Sequence, residues 1–297
     1  MTDNNAFLTY LKKRGNIKTV SGGDNINEEI SFQENGNGGW YSGLDVLPVA
    51  AQDVISSAQF NWKQLAAAVV ISGLELMKNR GKERILDLLD ERIGVGESTL
   101  QNLVSAGLYS DGTGSGGKQL QGLDLAVPVD PTTGTYGGIN RANWTFWRSQ
   151  LQTDAGAPSA TTIQGRMNTL WANCVRGADY PDLILSGSTY WATYVASLQA
   201  IQRFVDTSKA DLGFRSVQYM NADVVLDGGI GGQANTNTMY FLNTKYFRFR
   251  PHADRNFVSL DPEKRYAINQ DAMVQLIGWM GNVTSRGPQF CGRMVHT

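Results

Sequence analysis

The chain has 297 residues, 26 of them Lys or Arg and 27 Asp or Glu, which gives 18% charged residues and a formal net charge of -1. Ordinary soluble domains carry about 25% charge, and the near-neutral balance excludes the strong basic excess of a dedicated nucleic-acid binder. Two cysteines, Cys174 and Cys291, and two histidines, His252 and His296, exclude a disulfide framework and a thiolate zinc cluster and leave little for metal or imidazole-triad chemistry.

Residues 1–27 mix Asn, Asp, Gly and Lys with few apolar positions and read as an extended arm holding the basic cluster Lys12, Lys13, Arg14 and Lys18. That cluster is a solvated charge run or a non-specific phosphate contact. A strand-like run follows with Ile30 and Phe32 on one face, broken by Gly36, Asn37, Gly38 and Gly39 before Trp40 and Tyr41. A second extended run covers residues 54–71. Paired as a hairpin with about 20 residues per arm, the two would reach roughly 65 Å at ~3.3 Å per residue, beyond a compact core. The ribbon carries Trp40, Tyr41, Leu44, Val46, Leu47, Phe60 and Trp62 with no second layer of its own in sequence, so it needs a neighbouring subunit to cover it. The alternative is a local sheet.

Residues 74–108 are rich in helix signals, with Ile85, Leu88, Leu89, Ile93, Leu100, Val104 and Leu108 at helical spacing. The opposite face carries Lys82, Glu83, Arg84, Asp87, Asp90, Glu91 and Arg92. Its like-charged i,i+4 neighbours call for cations nearby, from another chain if need be. Gly94 and Gly96 leave one rod and two collinear pieces both open. Residues 122–128 read as a short strand. A helix then spans residues 159–176, closed by Gly177 with Trp171 and Cys174 inward, and after a strand at residues 183–185 Ser188 caps a helix over residues 190–205. Strands at residues 217–226 and 239–242 complete an α+β module. The last third alternates at Tyr246-Phe247-Arg248-Phe249-Arg250 and again over residues 273–280 and 289–295, as long antiparallel strands do.

The stretch Asp111-Gly112-Thr113-Gly114-Ser115-Gly116-Gly117-Lys118-Gln119 satisfies two phosphate-loop patterns. Its context does not: a helix precedes it, and Gln119 stands where a Ser or Thr would hold magnesium. A flexible connector is the main reading, and a nucleotide-binding enzyme using Gly112 to Lys118 is the alternative of another class. Gly229-Ile230-Gly231-Gly232 leads to polar residues and a strand, and reads as a mobile loop. The longest apolar run, residues 65–71, is far shorter than the ~20 residues of a membrane span, which favours a soluble, unexported, intracellular chain.

The order of segments, with Trp40-Tyr41-Ser42-Gly43-Leu44-Asp45, Phe60-Asn61-Trp62-Lys63-Gln64, Ile71-Ser72-Gly73-Leu74-Glu75-Leu76, Ala106-Gly107-Leu108-Tyr109-Ser110-Asp111-Gly112, Asp130-Pro131-Thr132-Thr133-Gly134-Thr135-Tyr136-Gly137-Gly138-Ile139 and Phe146-Trp147-Arg148, resembles the major capsid protein of tailed bacteriophages, with the Hong Kong 97-type fold, across nearly the whole chain. The resemblance implies an α+β fold: an N-terminal arm (1–27), an extended loop or E-loop (28–72), a peripheral domain with a spine helix (73–150), an axial domain (151–238) and peripheral strands (239–297). It implies a non-enzymatic shell protein without cofactors or metals, which assembles into hexamers and pentamers around double-stranded DNA in the host cytoplasm and resides in the virion. Intersubunit contacts are expected from the loop (Trp40, Tyr41, Leu44, Asp45, Phe60, Trp62, Lys63) and the spine helix (Lys82, Glu83, Arg84, Asp87, Asp90, Glu91, Arg92), with Lys12, Lys13, Arg14 and Lys18 facing DNA. Further partners are a separate scaffold protein, since the lead before Glu28 is short, together with portal and decoration proteins. Lys63 is the loop's only lysine and sits at a strand flank, away from the tip where a covalent weld between subunits would be made. An encapsulin-like compartment of the same fold is the nearest rival.

Overall fold

The computed structural model describes residues 5–78, 88–154, 156–198, 216–228, 233–260, 265–266 and 271–296. The arm is not wholly extended. Its first element is helix α1 (Ala6–Lys13), capped by Asn5, whose side chain accepts from the Leu8 backbone N–H. Lys12 and Lys13 sit in the last turn, where cations oppose the helix dipole. Phe7, Leu8 and Leu11 are fully buried, Phe7 edge-on to Phe247 at 5.6 Å, and the Tyr10 hydroxyl donates to Asp223 at 2.7 Å. Residues 16–20 then run parallel to a later strand through the Lys18 N–H to Phe249 O and Val20 N–H to Pro251 O bonds.

Strand β1 (Asn25–Ser31) pairs antiparallel with β2 (Ile55–Asn61), from Asn25 opposite Asn61 to Ser31 opposite Ile55. The expected long run is therefore two strands. After Trp62 the chain leaves for another sheet as β3 (Lys63–Ser72), pairing with β13 (Ala272–Ser285) from Lys63 opposite Gly281 to Ser72 opposite Ala272. Strand β11 (Phe247–Ser259) lies on the other side of β13, and β12 (Arg265–Tyr266) adds a short pair to it.

Helices α2 (Gly73–Lys78) and α3 (Leu88–Gly107) supply the spine. Helix α3 continues through both glycines, and Gly96 is where it touches the sheet: a Cβ there would lie 2.7 Å from Val69 Cγ2. Leu100 packs beneath it on Val69 and Ile277. A short helical segment, α4 (Gly114–Gly117), precedes α5 (Leu123–Ala126), which stands where a strand was expected. Burial of Leu123, Ala126 and Val127 follows helical spacing. The hairpin β4 (Thr135–Tyr136) and β5 (Ile139–Asn140) turns at Gly137, whose φ of +57° and contact with β2, where a Cβ would lie 2.9 Å from Phe60 Cζ, both require glycine.

The second body is a six-stranded sheet in the order β6 (Gln150–Asp154), β14 (Gly292–His296), β10 (Thr238–Leu242), β7 (Leu183–Ser186), β9 (Ala222–Leu226) and β8 (Ser216–Tyr219). Helices α6 (Ile163–Cys174) and α7 (Ser188–Leu198) pack on it through Met167, Leu170, Tyr190 and Tyr194 against Ile184, Val224, Phe241 and Met294. The single strand expected over residues 217–226 is the hairpin β8–β9, turned at Met220 with φ of +50°. The last strand, β14, is antiparallel to β10 but parallel to β6, so it lies inside this sheet between them and is no part of the long antiparallel pair β11–β13.

Candidate intersubunit surface

The hairpin leaving the body at β1–β2 has a fixed root. Alternation puts Ile26, Glu28 and Ile30 inward, facing the body with Ala58 and Phe60. Phe60 is fully buried and meets the Tyr136 ring edge-on at 5.1 Å, with Tyr136 stacked in turn on Trp147. The root thus has the second layer its sequence neighbourhood lacks, supplied by residues some 75 positions later in the chain. Gln59 N–H donates to Gly137 O, the Asn282 side chain donates to Asn61 O at 2.9 Å, and Trp62 Nε1 donates to Gly23 O at 2.7 Å.

Glu28 is the buried charge of this root, 1% exposed. Arg250 reaches its Oε1 through Nε at 2.7 Å and Nη2 at 2.6 Å, Arg248 Nη1 reaches Oε2 at 3.0 Å, and the Thr284 hydroxyl donates to Oε1 at 2.9 Å. Arg286 Nε stands 4.0 Å from Oε2. A carboxylate taken out of water is tolerated when paired and hydrogen-bonded in this way. Desolvation lowers the Arg248 pKa, opposed by Glu28. The Arg248/Arg250 alternation was visible in the sequence, and a charge on the apolar face of β1 was the second half of the signal; neither alone identifies the other.

Residues 32–54 continue outward without regular strands. Phe32 N–H to Val54 O, the Gln33 side chain to Asp53 O and the Asn37 side chain to Ala50 O hold the two sides together, and Asp45 closes the apex by accepting from the Ser42 N–H at 2.8 Å. Trp40 and Leu44 are as exposed as in an open chain (107% and 102%), and Tyr41, Val46, Leu47 and Val49 are exposed beside them. Natural surfaces scatter single apolar residues, whereas a contiguous bare patch marks a contact surface.

The other expected contact residues divide. Phe60 and Trp62 act within the chain at the root, and Lys63 Nζ donates to Gly117 O of the glycine-rich segment. On the spine, Lys82, Glu83, Arg84 and Asp87 lie outside the described residues, as does the side chain of Asp90. Glu91 is exposed. Arg92 is occupied internally, with Nη1 on Val70 O at 2.7 Å and Nη2 on Glu75 at 2.6 Å. In the basic cluster Lys12, Lys13 and Lys18 are exposed, while Arg14 pairs with Asp182 at 2.6 Å. The Gly112 to Lys118 segment joins α3 to α5 with no strand before it, and residues 229–232 lie outside the described residues. Burial pushes the Cys291 thiol up to about 12 and raises that of Cys174, so neither is poised to react.

No model of a known protein family matches the sequence, and no curated protein is similar to it. Among solved structures, the capsid asymmetric unit of cyanophage A-1(L) superposes with a TM-score of 0.67 at 14% identity, covering 94% of this chain and 90% of that one. The chain has the Hong Kong 97-type capsid fold. It superposes likewise on a structure from Mycobacterium phage Bobi (TM-score 0.59, 12% identity, 96% of this chain and 89% of that one) and on the capsid of a native GTA particle (0.59, 12%, 96% and 89%).

Proposed function

We propose that this chain is a structural shell protein, which assembles into hexamers and pentamers and encloses double-stranded DNA in a phage head. The observation that carries the reading is the bare apolar apex on a rigidly anchored hairpin, in a chain whose fold is that of capsid subunits. Such an apex gains stability by lying across a sister subunit, at about 25 cal/mol for each Å² of apolar surface covered. In this reading residues 1–27 are the arm, 28–72 the lap loop, and 73–150 with the β11–β13 strands of the last segment the periphery. The axial body is built on residues 151–238, with β10 and β14 completing its sheet. Trp40, Tyr41, Leu44 and Asp45 are its intersubunit residues. Lys12, Lys13 and Lys18 face DNA weakly, in keeping with a wall that must release its contents. The spine contacts through Lys82, Glu83, Arg84, Asp87, Asp90 and Glu91, a scaffold protein, a portal, decoration proteins and assembly in the host cytoplasm belong to the same proposal.

Electron microscopy of the purified protein and of a variant with residues 38–51 replaced by two glycines tests it. Closed particles are expected from the first, and folded subunits without particles from the second; normal particles from the shortened loop contradict the lap. Particles from infected cells carrying phage-length DNA fit the head reading, whereas DNA-free shells co-purifying with an enzyme point to a cargo compartment. Measurable ATP binding abolished by Lys118→Ala would instead revive the nucleotide reading.

A further inference from the structure

Where the neighbour's apex lands is a separate question, and its answer rests on the lap proposed above. Beside the hairpin root, Phe32, Trp144 and Phe146 form a ring triangle, with centroids 5.9 Å (Phe32–Trp144), 5.8 Å (Trp144–Phe146) and 6.3 Å (Phe32–Phe146) apart. Together with Ile30, Ile139 and Ser56 they line an apolar cleft of about 110 Å³ that opens outward, and Trp144 is 47% exposed over it. A dry apolar space of about 150 Å³ accepts a benzene-sized group, so this cleft has room for one aliphatic side chain.

A second hollow, of about 440 Å³, shares the Ile30, Phe32 and Phe146 walls and is polar. Arg286 enters it with a buried Nε that has no hydrogen-bond partner, and Arg176 enters lying over the Phe290 ring at 5.2 Å; Glu29 and Glu34 sit at its edge. Arg286 faces Glu28, a carboxylate already shared by Arg248 and Arg250. One apolar cavity therefore adjoins a guanidinium whose Nε has only the shared Glu28 carboxylate, at 4.0 Å and without a hydrogen bond.

The apex presents the complement. Leu44 is bare, and its neighbour Asp45 carries a carboxylate; between Gln33 and Val54 the chain has Glu34, Asp45 and Asp53 and no Lys or Arg. We infer that the aromatic cleft at the loop root of one subunit receives Leu44 from the loop apex of a second copy, with Asp45 beside Arg286. The donor cannot be the same chain as it stands, because its own Leu44 is fully exposed. The consequence is a head-to-tail contact, root to apex, which repeats from subunit to subunit because each offers one cleft and one apex, and which makes a ring where the rotation between neighbours closes.

The double variant Leu44→Cys with Ser56→Cys tests this, since Ser56 lines the cleft and Cys is close to it in size. Oxidised particles are expected to give a ladder of covalent oligomers on a non-reducing gel, absent from each single variant; Cys174 and Cys291 are buried and contribute none. Closed particles without a ladder overturn the cleft assignment while leaving the lap intact, and a disulfide at monomer mass overturns it in favour of the loop folding back on its own root. Should the double variant not assemble, a photo-crosslinking side chain at position 44 in otherwise unaltered particles decides the matter. Crosslinks to residues 30–32, 56 or 139–146 of another chain support the assignment, and crosslinks confined to other regions or to a different protein refute it. Normal particles from the shortened loop, by contrast, remove the lap itself.

Discussion

The root and the apex of one hairpin are made of similar material, aromatic and aliphatic side chains among a few acids, yet they behave oppositely. At the root, Ile26, Ile30, Ala58 and Phe60 are buried and Glu28 is ion-paired; at the apex, Trp40, Leu44, Val46 and Val49 face solvent. Composition does not distinguish them. What distinguishes them is whether a partner surface exists within the same chain: the root finds Tyr136, Trp147 and the arginines of β11, and the apex finds none among the described residues. An apolar segment whose strand pairing ends before its side chains are covered is a half-interface.

Four changes sharpen or break that contrast. Replacing residues 38–51 with two glycines should abolish closed particles completely while leaving the thermal midpoint of the subunit nearly unmoved, as electron microscopy and calorimetry will read. Glu28→Ala leaves Arg248 and Arg250 unpaired in a buried site and should destabilise the subunit by about 3–5 kcal/mol in urea denaturation. A loss under about 1 kcal/mol would show that the root is not held there. Trp62→Phe removes a single hydrogen bond to Gly23 O and should cost about 1 kcal/mol by the same assay. Leu44→Ser should change subunit stability by no more than about 0.5 kcal/mol, while lowering the yield of particles in a sedimentation assay. A large stability loss from it would mean that the apex packs on its own chain in solution.

The sequence pattern carried the hairpin, the helix on the axial sheet and the long strands, because each has a full period of buried positions: Ile26 and Ile30 on β1, Ile163, Met167, Leu170 and Cys174 on α6, Phe247 and Phe249 on β11. It failed where the deciding partner is remote. Helix α1 is only eight residues long: Phe7, Tyr10 and Leu11 do lie at helical spacing, but two turns among the Asn, Asp, Gly and Lys of residues 1–27 are too short a pattern to stand out, and its burial against β11 and β7 depends on strands far along the chain. The exchange of sheets at Trp62 has no Gly or Pro to mark it, since β2 and β3 read as one extended run. Phe60, Trp62, Lys63 and Arg92, expected to reach another subunit, are satisfied at home by Tyr136, Gly23, Gly117 and Glu75. At the loop apex Trp40, Tyr41 and Leu44 stand bare and Asp45 is exposed while shaping the turn, so these side chains are free for the intersubunit contact proposed above.

Hydrogen exchange compared between free subunits and assembled particles tests the central claim most directly. Backbone amides of residues 25–31 should be protected in both states, because their partners are internal. Those of residues 38–51 should exchange rapidly in the free subunit and slow markedly in the particle. Equal, rapid exchange of that segment in both states, or protection already present in the monomer, would contradict the account.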